Sequence, residues 1–536
     1  MNVAFDSWIP VVATSGKREL ASLCEVLTEG EKFADLAVRP HERVALMRLF
    51  LCVAHAALNG PKDYDEWCKV PLLLPEAVKE YLTRWEDSFE LFHETKPWLQ
   101  VAELTKTAEG KITDAATEDW TPVSKLNFSY ATGENTTLFD HGGMNAEGRK
   151  ISINETFLSM LTFQCFSVGG LMGQVYWKGN RCGVPANPKK ENGPVKSSDA
   201  PCSPASMFHA FLRGKNLIET IHLNLPTYED IRFSYGERII GKPLWEQFPC
   251  SLKDADNIEN AIQTYVGRLV PMTRLIRLHS SGEQMLLGDG LIYPSFPEFP
   301  QEPTATVIIR QNEKKEERAL LSYRPAKALW RELAAVIVNR STAGLGGPLS
   351  LRAIQDGKGC DLIVDALARD KATIVDTTES VFHIPARLRT PEGIATYQSE
   401  VKESESKASR LGWAVEGYRA EIDGGWEGRL KSAGLSKGKL KAKLHSIATT
   451  HYWTTVEKNL PLLMAHIEAI GTDAAIPTRE AWRKMLFSAA CEAYRVACGQ
   501  ETPRQMRAFA KGWQRLTAKK NESEPVTNKT NEEVEE

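Results

Sequence analysis

The chain has 536 residues, of which 42% are hydrophobic and 25% are charged, and its formal net charge is −3. This length is too great for one hydrophobic core, and the composition is that of a soluble globular protein, so we expect two or more domains. The net charge argues against a generally basic protein that coats nucleic acid. Any contact with phosphate must therefore come from local patches.

The ten cysteines are scattered, with no C-x-x-C pair and no compact cluster of cysteine and histidine. Isolated cysteines indicate a reducing compartment and argue against a zinc ribbon. The first residues lack the basic and apolar regions of a signal peptide, and no apolar run is long enough to span a membrane. We therefore expect a cytoplasmic protein with no membrane partner.

In the first part of the chain, a short strand pair is expected within residues 2–12. Apolar residues at helical spacing then predict three helices, over residues 41–59, 75–92 and 153–166.

Two segments flank the third of these helices. The segment before it, 128–141, places turn-forming residues ahead of the bulky Leu138 and Phe139, which is typical of an exposed loop with an apolar tip. After the helix, Gly169 and Gly170 would let another backbone come close. An ordinary loop, helix and glycine turn would show the same pattern.

Residues 178–204 are rich in Gly, Pro, Ser and Lys, which predicts a long surface loop, either ordered by a ligand or simply solvated. A helix is expected over residues 205–223. Residues 266–278 read as strand-like, with three arginines beside the apolar positions.

Two hairpins are predicted further along, over residues 304–323 and 361–376, with a helix over 327–339 between them. The second hairpin carries a charged tip, Arg369-Asp370-Lys371. Charges at such a tip are usually just solvated.

From about residue 390 the pattern changes to four long helices, over residues 397–422, 437–470, 479–497 and 503–517. They predict an antiparallel four-helix bundle. The expected fold class is therefore α+β, with a large mixed domain over 1–385, the bundle over 386–520 and a disordered acidic tail over 521–536.

The last helix places four basic residues on one face, at offsets of three and four: Arg504, Arg507, Lys511 and Arg515. Its other face, with Met506, Phe509, Ala510, Trp513 and Leu516, is expected to pack into the bundle. The second bundle helix opens with four further lysines: Lys437, Lys439, Lys441 and Lys443. A shared basic surface would follow a DNA strand, whereas an isolated basic face would only be solvated.

The chain contains none of the common nucleotide-binding, metalloprotease, hydrolase or kinase motifs. Asp140 and His141 form the one tempting pair, but adjacent residues of an extended segment point to opposite faces. We expect no catalytic residues, no metal and no cofactor.

Several segments, taken together and in order, resemble the large subunit of the type I-E CRISPR Cascade complex, the CasA family. Each is weakly specific alone, but the ordered set covers nearly the whole chain. The segments are 5–10 (Phe-Asp-Ser-Trp-Ile-Pro), 85–92, 97–100 (Pro-Trp-Leu-Gln), 133–141 (Gly-Glu-Asn-Thr-Thr-Leu-Phe-Asp-His), 166–170 (Phe-Ser-Val-Gly-Gly), 211–214, 370–376 (Asp-Lys-Ala-Thr-Ile-Val-Asp) and 501–507.

The resemblance implies a non-catalytic targeting subunit in antiviral defence. Such a subunit recognises the short adjacent motif in double-stranded DNA, helps to open the duplex for pairing with the guide RNA, and recruits the helicase–nuclease. The implied partners are the CRISPR guide RNA, the target DNA, the helicase–nuclease, and the backbone, handle-capping and small subunits of Cascade.

The resemblance also assigns roles to residues of this chain. The loop with Asn135, Thr136, Leu138 and Phe139 would meet the guide handle. Gly169 and Gly170 would face the DNA minor groove, and Asp370, Lys371 and Ala372 would form a wedge between the strands. The bundle, with its basic residues, would contact the displaced strand.

This sequence departs from the family pattern at two places. The wedge position is often glutamine in the family and is Lys371 here, and the turn over 279–285, where the family can carry a minor-groove lysine, has none. Two alternatives remain open: a guide-independent hydrolase that uses Asp140 and His141, and a purely structural scaffold protein.

Overall fold

The computed structural model describes residues 1–110, 120–129, 150–189, 193–236, 240–312, 315–342, 344–355, 357–371, 373–422 and 437–518. The chain forms two compact units, Met1–Ile384 and Pro385–Glu536. The first combines helices with small antiparallel sheets, and the described part of the second is helical. The predicted α+β class, with a helical C-terminal region, is confirmed at this level.

The helices of the first unit are α1 (Leu23–Thr28), α2 (Pro40–Leu58), α3 (Tyr64–Arg84), α4 (Ile153–Phe166), α5 (Leu217–Leu223), α6 (Tyr228–Tyr235), α7 (Ala255–Gln263), α8 (Tyr265–Leu269) and α9 (Leu333–Val336). Helices α2 and α4 confirm the predictions for 41–59 and 153–166. Fourteen residues of α2 are buried, so it forms the centre of the unit.

The strands are β1 (Ile9–Ala13), β2 (Arg18–Ala21), β3 (Phe33–Leu36), β4 (Leu104–Thr105), β5 (Thr121–Pro122), β6 (Leu171–Met172), β7 (Tyr176–Trp177), β8 (Asn180–Arg181), β9 (Val184–Pro185), β10 (Val195–Lys196), β11 (Met207–Arg213), β12 (Arg274–Leu278), β13 (Gln284–Asp289), β14 (Val307–Asn312), β15 (Lys315–Leu320), β16 (Cys360–Asp370) and β17 (Thr373–Ile384). They form antiparallel sheets in the orders β2-β1-β3, β4-β7-β8, β6-β10-β9, β12-β13-β5, β11-β16-β17 and β14-β15. The two predicted hairpins are β14–β15 and β16–β17.

A buried ion triad stabilises the interior of the first unit. Glu302 accepts hydrogen bonds from Arg48 at 2.8 Å and from Arg268 at 2.6 Å. Burial by itself raises the pKa of Glu302, but the two guanidinium groups outweigh it and lower the pKa to about 2. Because a charge buried without a partner is costly, removal of any one of the three side chains would destabilise the fold.

The helix predicted over 205–223 is wrong in its first half. Residues 207–213 form β11, which pairs with β16 from Met207 opposite Leu367 to Arg213 opposite Asp361. Six of the seven residues of β11 are buried. A strand covered on both faces has no alternation of apolar and polar residues, so periodicity cannot separate it from a buried helix.

Two early predictions also need correction. The first strand pair is β1–β2, over residues 9–21, and not within 2–12. Helix α3 begins eleven residues before the predicted start of 75, because the polar residues of its first turns obscured the apolar stripe, and it ends at Arg84 and not at 92. Pro71 lies inside α3 and has no N–H to bond the carbonyl of Trp67, and His222 donates to that carbonyl at 2.9 Å instead.

Residues 178–204 are not a simple surface loop. They contain β8, β9 and β10, and their buried residues include Cys182, Val195 and Cys202. The segment 266–278 is likewise divided between α8 and β12. The helix predicted over 327–339 is reduced to a short 3-10 turn and α9.

The second unit contains α10 (Pro391–Ile422), α11 (Lys437–Lys458), α12 (Leu460–Glu468), α13 (Ala475–Ala497) and α14 (Pro503–Thr517). The single helix predicted over 437–470 is therefore two helices, which meet at Asn459. Pro461 lies in the first turn of α12, where its missing N–H is tolerated. Helix α10 contacts α11, α12, α13 and α14.

The buried face of α14 agrees with the prediction in part: Leu516 is buried, and Phe509 and Trp513 are half-buried beside the ring of Tyr494. Its buried residues are Ala508, Gly512 and Leu516, whereas Met506 is 59% exposed and Ala510 is also exposed. Small residues let α14 approach α10 closely: a Cβ on Gly512 would lie 2.5 Å from the carbonyl oxygen of Ala414. The close approach of α10 therefore buries small residues that a search for large apolar side chains does not find.

Candidate nucleic-acid interface

The two glycines after α4 form a loop that is hydrogen-bonded to residues 197–199. Gly169 donates its N–H to Oδ1 of Asp199 at 2.6 Å, and Gly170 donates to Oγ of Ser197 at 3.0 Å. Ser197 in turn donates its N–H to the carbonyl of Gly170 at 2.8 Å. The loop is thus an ordered extension of the β6–β10 pairing.

The missing side chain of Gly169 is required by this internal contact. A Cβ at that position would lie 2.8 Å from the carbonyl oxygen of Ser197 and 3.2 Å from Oδ1 of Asp199. The close approach predicted from the sequence is therefore made, at least in part, with the protein's own chain. A variant such as Gly169→Asp would disturb the loop whether or not DNA binds there.

The tip of the β16–β17 hairpin has a defined backbone. Lys371 adopts a φ of 50°, in the left-handed region, and its carbonyl accepts hydrogen bonds from Nε of Arg369 at 3.0 Å and Nη2 of Arg369 at 2.7 Å. Asp370 and Lys371 are exposed. The predicted charged tip thus projects, while Arg369 holds it; Ala372 lies outside the described residues.

The Arg369 guanidinium also joins the hairpin tip to the glycine loop. Its Nη1 donates to Oδ1 of Asp199 at 2.9 Å and to the carbonyl of Ser203 at 2.6 Å. One carboxylate oxygen of Asp199 therefore receives both the Gly169 N–H and the Arg369 guanidinium. The glycine loop and the hairpin tip, which are far apart in the sequence, form one surface, called here the loop–tip surface (Gly169, Gly170, Ser197, Asp199, and Arg369 to Lys371).

Arg274 supports the loop–tip surface from within. Its Nη2 donates to the carbonyls of Val168 at 3.0 Å and Ser198 at 2.9 Å, and its Nη1 lies 3.6 Å from Oδ1 of Asp289. Burial lowers the pKa of Arg274 to about 10, so the guanidinium stays charged at neutral pH. It fixes the two strands of the loop relative to each other.

The turn between β12 and β13 contains no lysine of its own, but a lysine lies beside it. The ammonium of Lys150 is 2.6 Å from Oε1 of Glu283, and both side chains are largely exposed. At the edge of the same turn, His279 meets the ring of Trp120 edge-on, with the centroids 5.6 Å apart.

The basic face of α14 is partly neutralised by a carboxylate of α10. Arg507 Nε lies 3.0 Å from Oε1 of Glu421, and Lys511 Nζ lies 2.7 Å from Oε2. The hydrogen bond from Lys511, followed by the positive charges of Lys511, Arg507 and Arg504, lowers the pKa of Glu421. Arg504 and Arg515 are exposed.

The other predicted binding residues lie outside what the structure describes. This holds for Asn135, Thr136, Leu138 and Phe139, for the Asp140–His141 pair, and for the side chains of Lys437, Lys439, Lys441 and Lys443, although α11 itself begins at Lys437. Within the described ranges no group of three or more metal-ligating side chains is present, and no helix is long and apolar enough to cross a membrane.

A family model described as "CRISPR-associated protein Cse1" matches residues 2–493. The chain belongs to the Cse1 family. This member is 26% identical over 517 residues to a "CRISPR-associated protein CasA/Cse1" of Thermus thermophilus, a match that covers 92% of this chain and 91% of the relative.

Solved structures share the fold of this Cse1-family chain. The crystal structure of CasA from Thermus thermophilus matches with a TM-score of 0.70 at 22% identity, over 96% of this chain and 98% of the other. A chain of a structure titled "CRISPR RNA-guided surveillance complex" matches with a TM-score of 0.65 at 18% identity, over 96% and 99% of the two chains.

The sequence patterns did not identify the residues that organise the loop–tip surface. Asp199 and Ser197 looked like part of a polar loop, and Arg274 looked like one arginine among three. Asp199 is 30 residues from Gly169 along the chain, and its hydrogen bond to that glycine follows no local spacing. The isolated Asp in a Ser-rich stretch was the one available signal, and it is too common to be informative.

Proposed function

We propose that this chain is the non-catalytic large subunit of a type I-E CRISPR RNA-guided surveillance complex, Cascade. In this role it recognises the protospacer-adjacent motif in double-stranded DNA, helps to open the duplex for guide pairing and recruits the helicase–nuclease in antiviral defence. Membership of the Cse1 family and the shared fold with a chain of a surveillance complex support the proposal. Its partners would be the guide RNA, the target DNA, the helicase–nuclease and the other Cascade subunits.

The observation that carries the proposal is that Asp199 binds the glycine loop and the hairpin tip at the same time. Because one carboxylate oxygen bonds both Gly169 and Arg369, a backbone loop and a projecting hairpin tip are held on one surface. In RNA-guided complexes base pairing reads the sequence, so the protein needs only a short motif and contacts of shape. Minor-groove contacts are degenerate, which suits loose recognition of such a motif.

Each region then has a role. The glycine loop would face the minor groove, and Lys371, with Asp370 and Ala372, would be the wedge that separates the first base pairs. The loop with Asn135, Thr136, Leu138 and Phe139 would meet the guide handle. The C-terminal helices would act as an antiparallel four-helix bundle, with α11 and α12 as one interrupted helix, and their cations would contact the displaced strand.

The wedge is tested with Lys371→Ala in the assembled complex. Separating a base step costs a few kcal/mol, and a lysine near the opened strands offsets part of this through phosphate contacts. We expect slower strand opening on intact duplex carrying the motif, and a rate close to wild type on a target with a pre-melted bubble. Stopped-flow fluorescence of a base analogue beside the motif measures both rates.

A matched control is Lys17→Ala, which removes a 76% exposed lysine from another hairpin, between β1 and β2. Lys371→Gln tests whether reach or charge matters, and we expect it to restore most of the opening rate. If Lys371→Ala opens intact duplex as fast as wild type does, the tip is a solvated turn and the wedge role is wrong.

A further inference from the structure

The small sheet beside the glycine loop presents an unusual exposed face. In the order β6-β10-β9, Lys196 lies opposite Leu171 on one side and opposite Val184 on the other. Residues directly opposite one another in antiparallel strands project from the same face of the sheet. Leu171, Lys196 and Val184 therefore form one row across three strands, called here the exposed row.

The solvent exposure of its residues shows that the row lies on the outer face of the sheet. Leu171 is 70% exposed, Val184 is 62% exposed and Lys196 is also exposed. The next residue of the central strand, Val195, is fully buried, and Met172 opposite it packs against the core. One face of the sheet thus rests on the protein, while the other turns two large aliphatic side chains and a lysine to solvent.

The exposed row is continuous with the loop–tip surface. Leu171 directly follows Gly170, and Lys196 directly precedes Ser197, whose side chain and backbone bond to that glycine. Lys196 is three residues from Asp199, or about 10 Å along an extended strand. Asp199 is already paired with Arg369, and no ion pair to Lys196 is present among the described residues, so its ammonium can meet an anionic partner.

We propose that the exposed row is a further contact with double-stranded DNA, next to the segment that the glycine loop meets. Lys196 would bind a backbone phosphate, and Leu171 and Val184 would lie against the sugars and the floor of the minor groove. Proteins that bind the minor groove combine cations with apolar side chains in this way. The inference rests on the proposed function and extends it to three residues.

The positive charge of Lys196 favours DNA as the occupant over another protein subunit. Lys196 lies between the aliphatic side chains of Leu171 and Val184, which places a cation at the centre of the row. A purely hydrophobic docking face would place an apolar residue at the centre of the row, where Lys196 stands. Phosphate is the complementary partner that a duplex offers at every step.

The test compares assembled complexes that carry Lys196→Gln, Leu171→Gln or Lys178→Gln. Lys178 is the matched control, because it lies in a neighbouring hairpin and its ammonium is already paired with Glu103 at 3.1 Å. Binding is measured on a duplex with the target and the motif, over a series of salt concentrations, and on the single-stranded complement. All three side chains are exposed, so the fold should be retained.

For Lys196→Gln we expect weaker duplex binding and a log–log salt slope that is shallower by about 0.9, the value for one phosphate contact. For Leu171→Gln we expect weaker duplex binding with an unchanged slope. Binding of the single strand, and every property of Lys178→Gln, should match wild type.

A wild-type slope for Lys196→Gln would overturn the inference while leaving the proposed function intact. Loss of partner subunits from either row variant would also overturn it, because the row would then be a protein interface. If the wild-type complex shows no preference for the duplex with the motif, the proposed function fails, and the inference fails with it.

Discussion

Two charged surfaces of this protein were predicted to meet DNA, and they use their carboxylates differently. In the loop–tip surface, Asp199 accepts from the backbone amide of Gly169 and from the guanidinium of Arg369. Its carboxylate therefore holds two segments of the chain together. On α14, Glu421 accepts Arg507 and Lys511, which are 81% and 55% exposed. Exposed pairs of this kind contribute little to stability, because solvent screens them. The carboxylate of Asp199 thus fixes the structure of the loop–tip surface, whereas the carboxylate of Glu421 only reduces the positive charge on the face of α14.

The largest effect is expected from Asp199→Ala. It removes the acceptor of Gly169 and the anchor of Arg369 together, and a hydrogen bond to a charged group contributes about 1.5–3 kcal/mol. We expect duplex affinity of the assembled complex to fall by about tenfold to a hundredfold. Binding to single-stranded complement should be nearly unchanged, as measured by fluorescence anisotropy on both substrates.

Asp199→Asn is the matched control, because its amide oxygen can still accept from Gly169. It should lose less affinity than Asp199→Ala. Equal loss on duplex and single strand would contradict the comparison, since Asp199 would then support the whole unit and not the surface.

An intermediate effect is expected from neutralising the face of α14. The quadruple glutamine variant at Arg504, Arg507, Lys511 and Arg515 should keep its helicity and its guide-RNA complex but bind target DNA more weakly at every sequence. The salt slope should become shallower by up to about 0.9 for each lost phosphate contact. Because Glu421 already pairs two of the four cations, we expect a change equivalent to about two contacts.

The control for this variant replaces Arg504, Arg507 and Arg515 by lysine, which retains the charge. Its slope should remain that of wild type. If the quadruple glutamine variant also keeps the wild-type slope, the face of α14 meets solvent or protein and not phosphate.

The smallest effect, and one of opposite sign, is expected from Glu421→Gln. Removal of this carboxylate releases Arg507 and Lys511, so DNA affinity should rise a few-fold at low salt with a steeper slope. Circular dichroism should show unchanged helicity, since the pairs are exposed. A fall in affinity would show that Glu421 orients the two cations instead of competing with DNA for them.

The sequence by itself determined much of the local structure. Helices α2 and α4 and the β16–β17 hairpin lie where the apolar spacing predicted them, and the ordered motifs indicated the family that the match over residues 2–493 shows. These features depend on short-range patterns: the repeat of a helix, a capping residue, or a turn between two apolar runs. Such patterns are visible within about 10 to 20 residues of sequence.

The tertiary structure alone decided what the charged residues do. Pairing with β16 makes residues 207–213 a strand, although their apolar run suggested a helix, and the packing of α14 leaves Met506 exposed. Asp199 gained its role because folding brings Gly169 and Arg369 to the same carboxylate. Whether a charge is free, paired or structural depends on which groups lie within about 4 Å of it, and the fold sets that distance.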